Sequence, residues 1–326
     1  STHLSTLFPY TTLFRSLMAI WILKAAIQKT ISFLPFRHNI NFFFQKYITK
    51  GVRLTDALFS SKLHHCQQHF TAHTVHGNKK PSFASLEIGT GWFPIVPIGL
   101  YLCGAEKIYS ADIKSVLNKE RLMETINKFI EYHNNGSLVK FLPAYQSDKI
   151  NNISALLVEN KNLNELLAQL NIELLIGDIT KIDIQQLPKI DLINSNNTFE
   201  HIPPQVINAI LQYFHKIIIA DGVMSHFIDM SDHFAHLDKS ISAYNFLKFS
   251  KTQWKLIDNS IQPQNRLRIC DYTTLLKNAQ FKVVFEEPLI DSAITIDKVN
   301  LNRDFKHNYT NDCLSATHVL LVAKTK

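Results

Sequence analysis

From residue 83 onward, short runs rich in Ile, Leu and Val alternate with longer stretches in which apolar residues recur every three to four positions. Strands that are apolar on both faces and separated by amphipathic helices predict a mostly parallel sheet covered on both sides, an α/β sandwich. The pattern predicts strands at 84–88, 107–111, 173–176, 191–194 and 223–228, then a last pair at 281–285 and 318–323. Helices are predicted at 94–103, 116–132, 162–170, 204–214 and 272–279. Residues 136–171 and 231–271 exceed what short βα connections need and read as insertions. The second is rich in His, Asp, Phe and Tyr, which fits a substrate lid better than a spacer.

The amino-terminal third follows a different rule. Residues 1–17 contain TLFPYTTLFRS, which is similar to the in-frame translation of a short-read sequencing adapter, so the natural start is expected at Met18 and nothing functional is placed before it. Residues 18–80 read as a helical lead to a catalytic domain at 81–326. In that lead Ile20, Leu23, Ile27, Ile31 and Leu34 have helical spacing, while Lys24 and Lys29 interrupt any long apolar run. A membrane span needs about 20 apolar residues. The segment is therefore expected to pack on the domain, with weak membrane-surface contact through 18–37 as the other reading. His65 and His69, four apart beside Cys66, are expected on an exposed helical face.

Composition narrows the class. Hydrophobic residues make up 46% and charged residues 19% of the 326, which excludes a disordered or fibrous chain. The net charge of +7 is scattered, without the dense basic run of a nucleic-acid-binding arm, so no nucleic-acid partner is expected. Cys66, Cys103, Cys270 and Cys313 show no short spacing, which points away from a disulfide framework or a cysteine metal site and towards a reducing, cytoplasmic compartment.

The most informative segment is LEIGTGWFPIVPIG, residues 86–99. A strand that ends in Gly89-Thr90-Gly91 and enters a helix lets bare backbone approach a ligand at the carboxyl edge of the sheet. Asp112, roughly 20 residues on at the end of the next strand, sits where a carboxylate can accept hydrogen bonds from ribose hydroxyls. Gly177-Asp178 follows the third strand, and Asn196 to His201 follows the fourth.

These four ordered segments together resemble the class I S-adenosylmethionine-dependent methyltransferases, of a bacterial group with no assigned substrate, across 83–326. The resemblance implies a Rossmann-like seven-stranded sheet with an antiparallel final strand. It also implies S-adenosylmethionine as cofactor, held by Glu87, Gly89, Thr90, Gly91, Asp112, Ile113, Asp178, Ile179 and Asn196. In that family the glycine loop faces the amino-acid part, the strand-two acid holds the ribose, the Asp178 and Ile179 positions flank the adenine, and the Asn196 loop lies beside the methionine. Trp92-Phe93-Pro94 departs from the small residues often found after the second glycine. The Glu200-His201 pair after strand four is similar to small-molecule methyltransferases, which makes a small or medium organic acceptor, methylated at oxygen, the expected substrate.

Two other readings exist. Ser231, Tyr244 and Lys248 have the spacing of a short-chain, NAD(P)-dependent oxidoreductase, but Thr90-Gly91 is followed by Trp and Pro rather than by the glycines that cradle a dinucleotide pyrophosphate. A cofactor-binding module without turnover is the other.

Methyl transfer from a sulfonium depends chiefly on alignment, and a hydroxyl acceptor gains from a positioned base. His233 is the first candidate base, oriented by Asp232 or Asp229, and His226 the second. Arg266 and Arg268 could offer guanidinium forks to an acidic acceptor, with Tyr244 beside them. His226, Asp229 and His233 are ligand types for a metal, but their spacing fixes no geometry and no metal is expected. The oligomeric state is not readable from the chain.

Overall fold

The computed structural model describes residues 20–33, 53–187, 189–291 and 294–326. Residues 1–17, expected to be foreign sequence, lie outside the described residues, as do 18–19 and 34–37 of the proposed membrane-contacting segment.

Seven strands form one sheet: β1 (Phe83–Ile88), β2 (Ala105–Asp112), β3 (Ile172–Ile176), β4 (Ile190–Asn196), β5 (Ile218–Asp229), β6 (Phe281–Ile290) and β7 (Ala316–Thr325). Their order is β3-β2-β1-β4-β5-β7-β6. β7 runs antiparallel to both neighbours, and the β1, β2, β3, β4 and β5 pairings are parallel. Rossmann-like topology and the antiparallel last strand both agree with expectation. Every residue of β4 is buried, the consequence of helices on both faces.

The helices are α1 (Ile20–Ser32), α2 (Asp56–His76), α3 (Ile95–Leu102), α4 (Lys119–Asn134), α5 (Leu138–Phe141), α6 (Asp148–Ala155), α7 (Leu163–Gln169), α8 (Pro204–Ile217), α9 (Lys251–Ile257), α10 (Ile269–Asn278), α11 (Arg303–Asn308) and α12 (Asn311–Ser315). One core cluster joins α2, α3, α4 and the 136–171 insertion, through Phe59, Leu63, Ile98, Phe129, Leu138 and Ile153 among others. A second, on α8 and α10, contains Ile207, Phe214, Tyr272 and Phe281. A third lies in the lid and holds Phe234, Tyr244, Phe246, Trp254 and Phe305.

Within the helical lead, α2 packs on the domain: Phe59, Leu63, Cys66 and Ala72 belong to the main core, and the helix lies on α3, β4 and β5. Two expectations need correction here. α1 docks on the lid through Trp21 and Ala25, with Trp21 against Phe234 and Phe249, so most of the spaced apolar set that was expected to pack, Ile20, Leu23 and Ile27, faces outward. The lid supplies an aromatic pocket for the tryptophan, and that contact sets the helix's rotation. Finally, Cys270 and Cys313 are joined as a disulfide between α10 and α12. They are 43 residues apart, with β6 between them, so proximity arises only from the tertiary fold. Cys66 and Cys103 are free and buried. Among the described residues no helix is long and apolar enough to cross a membrane.

Candidate active site

The site is built at the carboxyl edge of β1, β2, β4 and β5. At the end of β1 the chain turns through Gly89 (φ 77°) and Gly91 (φ 70°), left-handed conformations that side chains with a Cβ resist. The turn is tied down from both sides. Gly89 N donates to Ala111 O at 2.8 Å, and Gly91 N donates to Asp112 Oδ2 at 3.2 Å. Lys114 N donates to Asp112 Oδ1 at 3.3 Å. An ionised carboxylate has about four acceptor positions, so Asp112 keeps room for further donors.

A cleft of about 410 Å³ opens beside this turn. Gly89, Asp112 and Ile113 line one side, Asp178 and Ile179 a second, and Thr198, His201, Val206 and Ile210 a third. The structure thus brings Gly89, Asp112, Ile113, Asp178 and Ile179 to one cavity, as the sequence segments imply. Asp178 is held by its own turn, accepting from Thr180 N at 3.0 Å and Thr180 Oγ1 at 2.7 Å, which keeps its carboxyl below the usual range.

Glu87 and Asn196 lie behind the turn, in a buried relay. Ser225 Oγ donates to His69 Nδ1 (2.7 Å), His69 Nε2 donates to Asn196 Oδ1 (3.1 Å), and Asn196 Nδ2 donates to Glu87 Oε1 (3.4 Å). Thr90 Oγ1 donates to Glu87 Oε2 at 2.8 Å and also contacts Ser110 Oγ. Burial pushes the Glu87 carboxyl up to about 7, against its bond from Thr90 and the Lys62 charge.

His69 and His65 therefore contradict their expected exposure: both are buried, and His65 stacks on Phe227 with ring centroids 3.9 Å apart. With Lys62 they occupy positions i, i+3 and i+7 of α2, the stripe that turns towards the sheet. Lys62 faces Glu87 and Glu200, and burial lowers its ammonium pKa. Apolar spacing alone hid this stripe because its polar members alternate with Phe59, Leu63 and Cys66 on the same face.

Burial pulls His69 down to about 4 and His226 to about 3. Unfolding frees both imidazoles to take protons below their ordinary value of about 6.5, so they weaken the fold as pH falls from there towards the folded values. The raised Glu87 carboxyl works in the opposite sense, favouring the fold as pH falls from about 7 to its unfolded value. Long-range proton–nitrogen correlation spectra at pH 5 are expected to show His69 neutral, with Nε2 protonated. Titration of His69 near 6.5 would contradict the relay.

The candidates for chemistry separate into two groups. His233 Nε2 lies 3.5 Å from Asp229 Oδ2, and Asp229 is also approached by His236 at 3.7 Å and His318 at 3.4 Å. Burial alone would raise the Asp229 carboxyl, but the bond from His233 and the charge of His318 outweigh it and hold it well below the usual range. His233 Nδ1 has no partner. His201 stands beside it, ring centroids 5.0 Å apart, with Nδ1 donating to Pro263 O at 2.7 Å. Glu200 is 2% exposed and its carboxyl pKa is raised by burial. Glu200, His201, Lys62 and His318 are members of the site that the search for a base did not single out. The Glu-His pair after a strand and a polar loop was the visible signal for the first two.

The other nominated residues are structural. His226 is buried within the sheet, bonded to Ser195 Oγ at 2.8 Å and stacked on Phe199 at 4.4 Å, so it has no access to an acceptor. Asp232 caps the lid, accepting from Phe234 N at 2.8 Å and Asn245 Nδ2 at 3.1 Å, rather than orienting His233. Arg266 donates to Phe246 O and Phe249 O, and Arg268 to Met230 O, Leu314 O and Ala316 O. Tyr244 donates to Ser315 O at 2.6 Å. Arg266 satisfies carbonyls within the lid, while Arg268 and Tyr244 satisfy carbonyls at the end of β5, in α12 and at the start of β7, which ties the lid to the sheet. Their side chains are spent there and not on a substrate.

No protein-family model matches the chain, and none of the curated proteins compared matches it. Among solved structures the chain is similar to an S-adenosylmethionine-dependent methyltransferase from Clostridium acetobutylicum, at 11% identity and TM-score 0.43, over 88% of this chain and 98% of that one. It is similar to the magnesium protoporphyrin IX methyltransferase of Synechocystis with bound S-adenosylhomocysteine, at 12% identity and TM-score 0.42, over 88% and 99%. A TehB-like methyltransferase from Corynebacterium glutamicum is similar at 11% identity and TM-score 0.38, over 80% and 88%.

Proposed function

We propose that the chain transfers a methyl group from S-adenosylmethionine to an oxygen of a small or medium organic acceptor. The observation that carries this reading is the meeting of the Gly89-Thr90-Gly91 turn and the Asp112 carboxylate on one open cleft, with Asp178 and Ile179 across from them.

In this reading the free acceptor positions of Asp112 receive the ribose hydroxyls, and the apolar wall of Ile113, Ile179, Val206 and Ile210 takes the adenine. The glycine turn and the relay behind it lie alongside the methionine part. The methyl group then points towards His201, which lines the same cleft, and towards His233 beside it. The transfer is an in-line displacement in which the acceptor oxygen forms a bond to the methyl carbon while the carbon–sulfur bond breaks, and alignment supplies much of the acceleration. Asp229 fixes the His233 ring from Nε2 and leaves Nδ1 without a partner, the arrangement a proton-accepting or ligand-holding imidazole needs.

The dehydrogenase reading loses its support here. Tyr244 is fully buried with its hydroxyl on Ser315 O, Lys248 is exposed, and Ser231 bonds to Asp229, so the three do not form a constellation.

Calorimetric titration tests the reading. S-adenosylmethionine is expected to bind and nicotinamide dinucleotides are not. Asp112→Ala is expected to weaken S-adenosylmethionine by about 10- to 100-fold, the worth of hydrogen bonds to a charged group. Equal binding by Asp112→Ala, or preference for a dinucleotide, would refute it. Formation of S-adenosylhomocysteine in cell extract separates an enzyme from a cofactor-binding module.

A further inference from the structure

Three ligand-type side chains converge next to the cleft, and each histidine keeps one ring nitrogen unspent. One oxygen of Glu200 and one ring nitrogen each of His201 and His233 lie within 4.8 Å of one another. Each nitrogen is free for a reason that can be traced. His201 Nδ1 donates to Pro263 O, so its Nε2 carries the lone pair. His233 Nε2 faces Asp229, so its Nδ1 does, and that atom is buried without a partner. The buried carboxyl of Glu200 leans on the backbone amides of Glu200 and Asp229 and has no side-chain donor. A buried carboxyl with no side-chain donor is costly to ionise, because burial of a charge is tolerated only when it is paired.

The backbone explains how these residues meet. Glu200 and His201 are on the short helical turn Phe199–His201 directly after β4, and His233 opens the turn His233–His236 after β5. β4 and β5 are parallel neighbours, so both turns leave the sheet on the same edge. The Gln264 side chain ties the lid across them, donating to Ser231 O and accepting from His233 N, and Asn265 N donates to Glu200 O at 2.9 Å.

We propose that Glu200, His201 Nε2 and His233 Nδ1 form a binding site for a divalent first-row transition cation such as Mn²⁺ or Zn²⁺. Two imidazoles and a carboxylate are borderline ligands that suit these ions, and three protein ligands leave open positions, the mark of a catalytic rather than a structural site. The outer shell is already in place: Asp229 behind His233 and the Pro263 carbonyl behind His201 orient the two rings, as partners of metal-bound histidines do. The nearby charges are those of Asp229 and Lys62, one of each sign, so the site's balance is set by Glu200 itself.

The role of the cation rests on the methyl-transfer reading. His201 also lines the cleft, so a cation held by its Nε2 would border the acceptor space. An acceptor hydroxyl bound to that cation loses its proton to solvent more easily, as metal-bound water does. The resulting oxygen attacks the methyl carbon, the carbon–oxygen bond forms, and the carbon–sulfur electron pair stays on sulfur as neutral S-adenosylhomocysteine departs. This assigns a hydroxyl-bearing acceptor, and it gives His233 the part of a ligand rather than of a free base.

The test is binding, not turnover. Untagged protein stripped with chelator is titrated with MnCl₂, followed by loss of the free-ion paramagnetic resonance, and with CoCl₂, followed by visible absorption. One equivalent is expected to bind. Glu200→Gln and His233→Ala are each expected to weaken it by 100-fold or more, and Asp229→Asn, acting through His233, by about 10- to 100-fold. The wild-type titration needs no variant to fold, so absence of a stoichiometric site there overturns the assignment by itself, as do folded variants that titrate like wild type. S-adenosylmethionine is titrated into the same metal-free proteins by calorimetry. Cofactor binding without metal binding removes the cation and leaves the transferase reading intact. Metal binding without cofactor binding does the reverse.

Discussion

Gly89→Ala is expected to lose S-adenosylmethionine binding by 100-fold or more while the protein still folds. Two costs coincide at this position. The backbone is left-handed, at φ 77°, which costs a residue with a Cβ about 1–2 kcal/mol. An added Cβ would also stand 2.3 Å from Thr198 Oγ1 and 2.7 Å from its Cγ2, distances that demand movement. Thr198 cannot yield freely, since its hydroxyl donates to Ile88 O and Asn196 O and so pins the β4 loop to the end of β1. Displacement would carry with it the cleft wall that Thr198 forms and the Asn196 to Glu87 contact behind it. Gly136→Ala is the control: its φ is 73° and no atom lies within 4 Å of a new Cβ, so it carries the backbone strain alone, remote from the cleft-lining residues. Melting curves of the two variants together with calorimetry of cofactor binding separate strain from clash. Full cofactor affinity in Gly89→Ala would show that the turn does not face the ligand.

The same turn shows what could be read from the chain and what could not. Every predicted strand is present: the central strands, such as fully buried β4, carry their signal locally in Val, Ile and Leu runs, and the partly exposed β3 and β6 keep enough of that pattern to be read. The predicted helices also lie where their spacing put them, displaced by a few residues at ends that caps decide. Gly89, Asp112 and Asp178 were legible because each sits at a strand terminus, where the topology of the sheet converts position in sequence into position in the cleft. Residues on the lid lacked such a rule. Tyr244, Arg266 and Arg268 look like binding groups by type, but an irregular backbone has buried carbonyls to satisfy, and only the three-dimensional path shows that these side chains are consumed in doing so. α2 was misjudged for the opposite reason. Lys62, His65 and His69 are polar, so the stripe reads as solvent-facing until β4 and β5 supply Asn196 and Ser225 as partners. The Cys270–Cys313 link belongs to the same category, since separation by a strand leaves no local trace.

Arg268→Met is expected to lower the melting temperature by about 6 °C and to leave S-adenosylmethionine affinity within a few fold of wild type. The guanidinium is fully buried, and its donors are shared among three carbonyls: Met230 O at 2.6 Å, Leu314 O at 2.7 Å, and Ala316 O. Burial pulls its pKa down only to about 10, so at neutral pH it remains charged and its hydrogen bonds are the strong, charge-assisted kind. These acceptors come from the end of β5, from α12 and from the start of β7, so one side chain clamps the point where the antiparallel strand joins the parallel sheet. Methionine fills a similar volume but offers no donor. Each carbonyl left dry costs about 1–3 kcal/mol, and relaxation or water entry recovers part of that, which leaves a net loss of about 4 kcal/mol. At about 2.1 cal/mol/K per residue, a kilocalorie in a chain of this size corresponds to about 1.5 °C. Arg268→Lys keeps the charge and can reach one carbonyl, so it should fall between wild type and Arg268→Met. A substrate-binding arginine would behave differently, raising the KM for the acceptor with stability untouched. A melting temperature unchanged in Arg268→Met would therefore return this residue to the cleft, whereas the expected loss assigns it to holding the β5 terminus, and with it Asp229 and His233, in place.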